Sequence, residues 1–64
     1  MSKIKKFRND LGLTQQEVAD ILGVSQKAVA KWEGGKGLPR AEMLPKLAKV
    51  LGCTIDDLFD KEGA

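Results

Sequence analysis

Hydrophobic positions along this 64-residue chain recur every three or four residues, the spacing of one face of an α-helix. Ile4, Phe7, Arg8 and Leu11 fall at i, i+3, i+4 and i+7, which predicts a first helix over about Lys3–Leu11. Ser2 is its candidate N-cap and Gly12 its terminator. A second helix is expected over about Gln15–Leu22, with Val18, Ala19 and Leu22 inward and Ile21 at the border. A third is expected over about Gln26–Glu33, followed by a loop carrying Gly34, Gly35 and Gly37. Pro39 and Pro45 bracket the next start, because proline is accepted in a first helical turn but not in an interior. A turn or 3₁₀ segment is expected near Arg40–Met43, then a fourth helix over about Leu44–Leu51. Its stripe is Leu44, Leu47, Ala48 and Leu51, and Gly52 ends it. Thr54 caps a fifth helix over about Ile55–Phe59, with Asp56 and Asp57 in the first turn, where negative charge suits the helix dipole.

The second and third helices have the clearest punctuation. Thr14-Gln15-Gln16-Glu17 fits a capping box, Gly23 suits a left-handed helix end, and Ser25 is a good N-cap for the helix that follows. Two short helices joined by a tight turn containing glycine form a helix-turn-helix, here over about residues 14–33. On a helical wheel, Val29, Trp32 and Glu33 share one side of the third helix. Lys27 and Lys31 lie opposite, flanked by Ala28 and Ala30, with Ser25 and Gln26 at the tip. Long donors separated by small residues suit the major groove of B-DNA. Glutamine can pair with adenine and lysine with guanine or phosphate, while alanine permits close approach to thymine methyls. The same two lysines would also serve a solvated helix face with no ligand.

Composition narrows the choice. Hydrophobic residues make up 42 % and charged residues 31 %, a globular profile in a chain long enough for one domain, 1–64. No apolar run approaches a membrane span and no signal-peptide core follows the N-terminal lysines, so a cytoplasmic protein without a membrane partner is expected. The chain has no histidine and one cysteine, Cys53, which removes the commonest general base and any internal disulfide. An enzyme is therefore not expected, nor is a metal or cofactor. The net charge of +2 is unevenly placed. Ten of the eleven basic residues lie in residues 1–49, whereas Asp56, Asp57, Asp60 and Glu62 fall in the last fifteen. A basic body with an acidic tail over 60–64 suits a protein that turns one face to a polyanion.

Several residues carry two readings. Arg8 and Glu33 are charged yet sit on apolar faces, so they are expected to pair across the first and third helices, unless both snorkel to water. Trp32 belongs to the core or stacks on a base. Cys53 is a small core residue or a redox site. Ile21, Leu58 and Phe59 are candidate dimer contacts, with a plain core role open to Leu58.

Leu13-Thr14-Gln15-Gln16-Glu17-Val18-Ala19, Leu22-Gly23-Val24-Ser25-Gln26 and Lys31-Trp32-Glu33-Gly34-Gly35-Lys36 together resemble the Cro/phage-repressor (XRE) family of helix-turn-helix regulators. The similarity continues through Leu38-Pro39-Arg40, Leu44-Pro45-Lys46-Leu47-Ala48 and the stretch from Leu51 to Phe59. The resemblance implies an all-α, compact five-helix, lambda-repressor-like domain that binds double-stranded DNA as a homodimer on a palindromic site and acts as a transcriptional repressor. It implies that Gln15 contacts phosphate, that Ser25, Gln26, Lys27 and Lys31 face the bases or nearby backbone, and that Lys36, Gly34 and Arg40 approach phosphate. It also supports the Arg8–Glu33 pair. A second function fits the same fold: the antitoxin of a toxin–antitoxin pair, or another module whose partner is a protein.

Overall fold

The computed structural model describes residues 2–59; the acidic segment 60–64 lies outside the described residues. The order of elements is α1 (Ser2–Asp10), α2 (Gln15–Leu22), α3 (Gln26–Glu33), a 3₁₀ turn (Ala41–Met43), α4 (Leu44–Leu51) and α5 (Ile55–Leu58). Among the described residues all regular structure is helical, and no helix is long and apolar enough to cross a membrane.

Local signals set these boundaries. The Thr14 hydroxyl accepts from the Glu17 N–H at 3.0 Å, while the Glu17 carboxylate accepts from the Thr14 N–H at 2.8 Å. This reciprocal cap satisfies two amides that α2 leaves without intrahelical partners, and a cap of this kind contributes about 1 kcal/mol. Thr54 and Asp57 repeat the device at α5. Gly23 closes α2 at φ 74°. There the Val24 N–H donates to the Ala19 carbonyl at 3.0 Å, a Schellman closure that turns the chain into α3 within three residues. Pro45 sits in the first turn of α4, where its missing N–H costs nothing.

The first helix departs from expectation at both ends. It begins at Ser2 itself, so Ser2 is helical rather than the residue before the helix. It stops at Asp10, because the Leu13 N–H donates to the Arg8 carbonyl and closes the helix around Gly12. Leu11 falls in that turn and is 52 % exposed, although its spacing placed it on the apolar face.

The core is built from Ile4, Val18, Ala19, Val29, Trp32, Leu47, Ala48, Leu51 and Leu58. Every helix contributes, so no element is stable by itself; helices this short depend on tertiary packing. Phe7, Leu22, Leu44 and Cys53 pack half-buried against this centre. Trp32 belongs to the core, only 7 % exposed, and is not offered for stacking. Leu58 is fully buried, which removes it as a dimer contact, whereas Ile21 stays 60 % exposed and Phe59 is half-buried. Burial, then the Asp57 charge, pushes the Cys53 thiol up and disfavours a reactive thiolate.

Candidate nucleic-acid interface

Helix α3 is anchored from within by Val29 and Trp32, and that anchorage dictates what faces outward. Lys27 and Lys31 are exposed, Ala28 and Ala30 are half-buried beside them, and Gln26 is exposed at the tip. The Ser25 hydroxyl accepts from the Ala28 N–H at 3.1 Å, so Ser25 is engaged as the N-cap of α3 while remaining exposed.

Behind this face runs a continuous polar relay. Arg8 grips Glu33 twice, through Nε to Oε2 at 2.5 Å and Nη2 to Oε1 at 3.0 Å. Its Nη1 donates to the Leu13 carbonyl at 2.8 Å, which ties the α1–α2 turn to the same guanidinium. The Gln15 Nε2 donates to Glu33 Oε1 at 2.9 Å, and the Gln26 Nε2 donates to Gln15 Oε1 at 2.5 Å. Four side chains thus link α1, the end of α3, the start of α2 and the start of α3. The bidentate Arg8–Glu33 pair, with side chains 11 % and 5 % exposed, is the fixed end of that relay.

Electrostatics agree with the geometry. Burial acts to raise the Glu33 pKa, but hydrogen bonds from Arg8 and Gln15, then the charges of Arg8 and Lys5, outweigh it and hold the carboxyl below its ordinary value. The bond to Glu33, less a desolvation penalty, raises Arg8 in turn. An ionised carboxylate only accepts, so Gln15 must turn its Nε2 toward Glu33 and its Oε1 toward Gln26. Gln26 must then turn its own Nε2 inward, which leaves its Oε1 and a second N–H for another partner.

Two clefts flank α3. One lies against α1 and the start of α2 and is lined by Arg8, Asn9, Thr14, Gln15, Gln16 and Gln26. The other lies against the 3₁₀ turn and is largely apolar, with Val24, Trp32, Leu38 and Met43 in its walls and Arg40 and Glu42 also lining it. Gln15 and Gln26 are therefore together in one cleft, whereas Arg40 is in the other. Lys36 is exposed in the loop beyond α3, and Gly34 follows the last residue of α3. Sequence reasoning missed Asn9 and Gln16 as neighbours of Gln26, because only the packing of α1 and α2 against α3 brings them there.

The Helix-turn-helix family model matches residues 4–58. The transcriptional activator BcrR of Enterococcus faecalis is 42 % identical over 60 residues, covering 94 % of this chain and 29 % of that protein. The cryptic phage transcriptional repressor RstR of Vibrio cholerae is 41 % identical over 56 residues, covering 88 % of this chain and 50 % of its own length. Among solved structures, the SinR protein/SinI protein complex matches with a TM-score of 0.83 and 26 % identity, over 97 % of this chain and 63 % of that one. The chain thus spans less than a third of BcrR and half of RstR.

Proposed function

Since the chain belongs to the Cro/C1-type (XRE) helix-turn-helix family, we propose that it is a sequence-specific double-stranded DNA-binding transcriptional regulator that reads the major groove with α3. The observation that carries this reading is the relay from Arg8 to Gln26, which holds the base-facing amide in one orientation before any ligand arrives. Gln26 reads a base edge through its remaining N–H and Oε1, and Lys27 and Lys31 donate to guanine or phosphate from the same exposed face. Ala30 allows close approach. Gln15 retains one side-chain N–H and a first-turn backbone N–H for phosphate. Lys36 and Arg40 grip the backbone from beyond α3, and no catalytic step is assigned to any residue.

In this reading the protein works in the cytoplasm as a homodimer on a palindromic site, with half-sites about 34 Å apart. Repression is the proposed outcome, as in RstR, whereas BcrR is an activator. A second reading, a protein partner such as a toxin, draws support from the similarity to SinR, which was solved in complex with SinI. Selection from a random duplex pool separates the two. An enriched palindrome with a one-turn repeat is expected. Weak binding without enrichment would favour the protein partner.

A further inference from the structure

The cleft between α3 and the 3₁₀ turn encloses about 360 Å³, within the roughly 300–1,000 Å³ of small-ligand sites. Val24, Trp32, Leu38 and Met43 make its walls largely apolar. Leu38 is 67 % exposed there, so water lies against surface that an apolar group would cover favourably. Two charges of opposite sign line the same cleft: Arg40, just before the 3₁₀ turn, and Glu42, within it. Both are exposed, and among the described residues neither side chain has a hydrogen bond or ion pair. Arg8 and Glu33, by contrast, satisfy one another on the other side of α3. An apolar surface flanked by one free cation and one free anion is complementary to a small molecule with an apolar body and both charges.

We infer that this cleft binds a free α-amino acid with an apolar side chain, and that the ligand weakens DNA binding. The second half rests on the proposed reading, in which Arg40 grips the DNA backbone. The ligand's carboxylate accepts from the Arg40 guanidinium, its ammonium donates to the Glu42 carboxylate, and its side chain lies against Val24, Leu38 and Met43. An apolar molecule with a single charge would leave one of the two residues unanswered, and a polar amino acid would leave the apolar wall wet. A guanidinium held by a carboxylate is lost to phosphate, and Ala28 and Trp32 of α3 line the same cleft, so ligand and duplex oppose each other. Such coupling is reciprocal: each weakens the binding of the other by the same factor.

Trp32 is the one tryptophan of a chain without tyrosine, and it lines the cleft, so its fluorescence reports on this site without a label. The test is a titration of the free protein with L-leucine, glycine, L-leucinamide and 4-methylpentanoate. L-leucine should change the emission saturably, and glycine, which lacks the apolar body, should not. L-leucinamide lacks the carboxylate and 4-methylpentanoate the ammonium, so each should bind about threefold more weakly, as for the loss of one exposed ion pair. Arg40→Gln should abolish the preference for L-leucine over L-leucinamide, and Glu42→Gln its preference over 4-methylpentanoate. On the selected duplex, saturating L-leucine should weaken binding of the wild type about fivefold. No saturable change with L-leucine, equal affinity for L-leucinamide, or a duplex affinity indifferent to L-leucine overturns the inference. So does an emission that changes with protein concentration alone, the sign of a second copy filling the cleft. A protein that binds L-leucine but no duplex overturns the DNA reading instead.

Discussion

Helix α3 is held by two kinds of contact that differ in their physics. One is directional: four hydrogen bonds reach α3 through Arg8, Gln15, Glu33 and Gln26. The other is apolar: Val29 and Trp32 sit in one core with Ile4 of α1 and Val18 and Ala19 of α2, and Trp32 also borders the cleft by the 3₁₀ turn with Val24, Leu38 and Met43. Apolar packing is roughly proportional to buried area and insensitive to angle, so it sets how firmly α3 is held. Hydrogen bonds weaken steeply with misalignment, so the polar side sets how α3 is aimed. One eight-residue helix is thereby held by its core side chains and aimed by its polar ones.

Substitutions on each flank sharpen this contrast. The largest effect is expected for Trp32→Ala, which empties the apolar side and costs about 3–5 kcal/mol. A domain this small is stable by roughly 3–10 kcal/mol in total, so the variant should be largely unfolded in a thermal melt. Glu33→Gln comes next, at on the order of 3 kcal/mol, because it leaves the Arg8 guanidinium buried without its counter-charge. Replacing both partners with apolar residues should recover much of that loss while still impairing recognition, since the relay stays broken. If the double variant bound its site as wild type does, the aiming role of the polar flank would be wrong.

The same pair predicts an acid dependence. The folded Glu33 pKa lies below its unfolded value, so its contribution is fully present above the ordinary carboxylate value of about 4.3 and is lost as pH falls through the lower folded value. The gap in melting temperature between wild type and Glu33→Gln should hold constant above about pH 5 and shrink below about pH 4. A gap undiminished at pH 3 would mean that charge is not its source.

Smaller effects separate reading from gripping. Gln26→Ala should cost about 1–3 kcal/mol of discrimination at one base pair with little loss of fold, whereas Lys36→Ala should weaken all sequences alike. Footprints on matched and scrambled duplexes would show whether the two differ. The smallest effect is expected for Leu38→Ser. This side chain lies at the apolar cleft but is 67 % exposed, so the change should stay within about 0.5 kcal/mol in a denaturant melt.

What was legible in the sequence was local or periodic. Caps at Thr14, Ser25 and Thr54 and the stop at Gly23 each depend on residues within a few positions, and all occur where expected. The Arg8–Glu33 pairing was legible for a different reason: two charges on apolar faces must find each other or remain unsatisfied. Leu11 misled because helical periodicity continued in sequence one residue past Asp10, where the turn through Gly12 had already ended the helix. The bonds from Gln15 to Glu33 and Gln26 were not legible. They span 18 and 11 positions and depend on the angle at which α2 crosses α3. Nor could spacing show that Arg40 and Gln15 lie in different clefts, since that depends on the path of the loop between Gly34 and the 3₁₀ turn.

The relay has a polarity. Gln26 donates to Gln15, Gln15 donates to Glu33, and the sequence of donors ends on a carboxylate that has no proton to give back. With Glu33 ionised, neither amide can flip alone without setting two donors or two acceptors face to face. Were position 33 an amide as well, all three could rotate together into a reversed chain, and Gln26 would show a base its donor and acceptor in exchanged positions. One negative charge at the far end of α3 therefore removes a two-fold ambiguity from the helix tip, so that a buried anion determines which of two mirror-related hydrogen-bond patterns the protein presents.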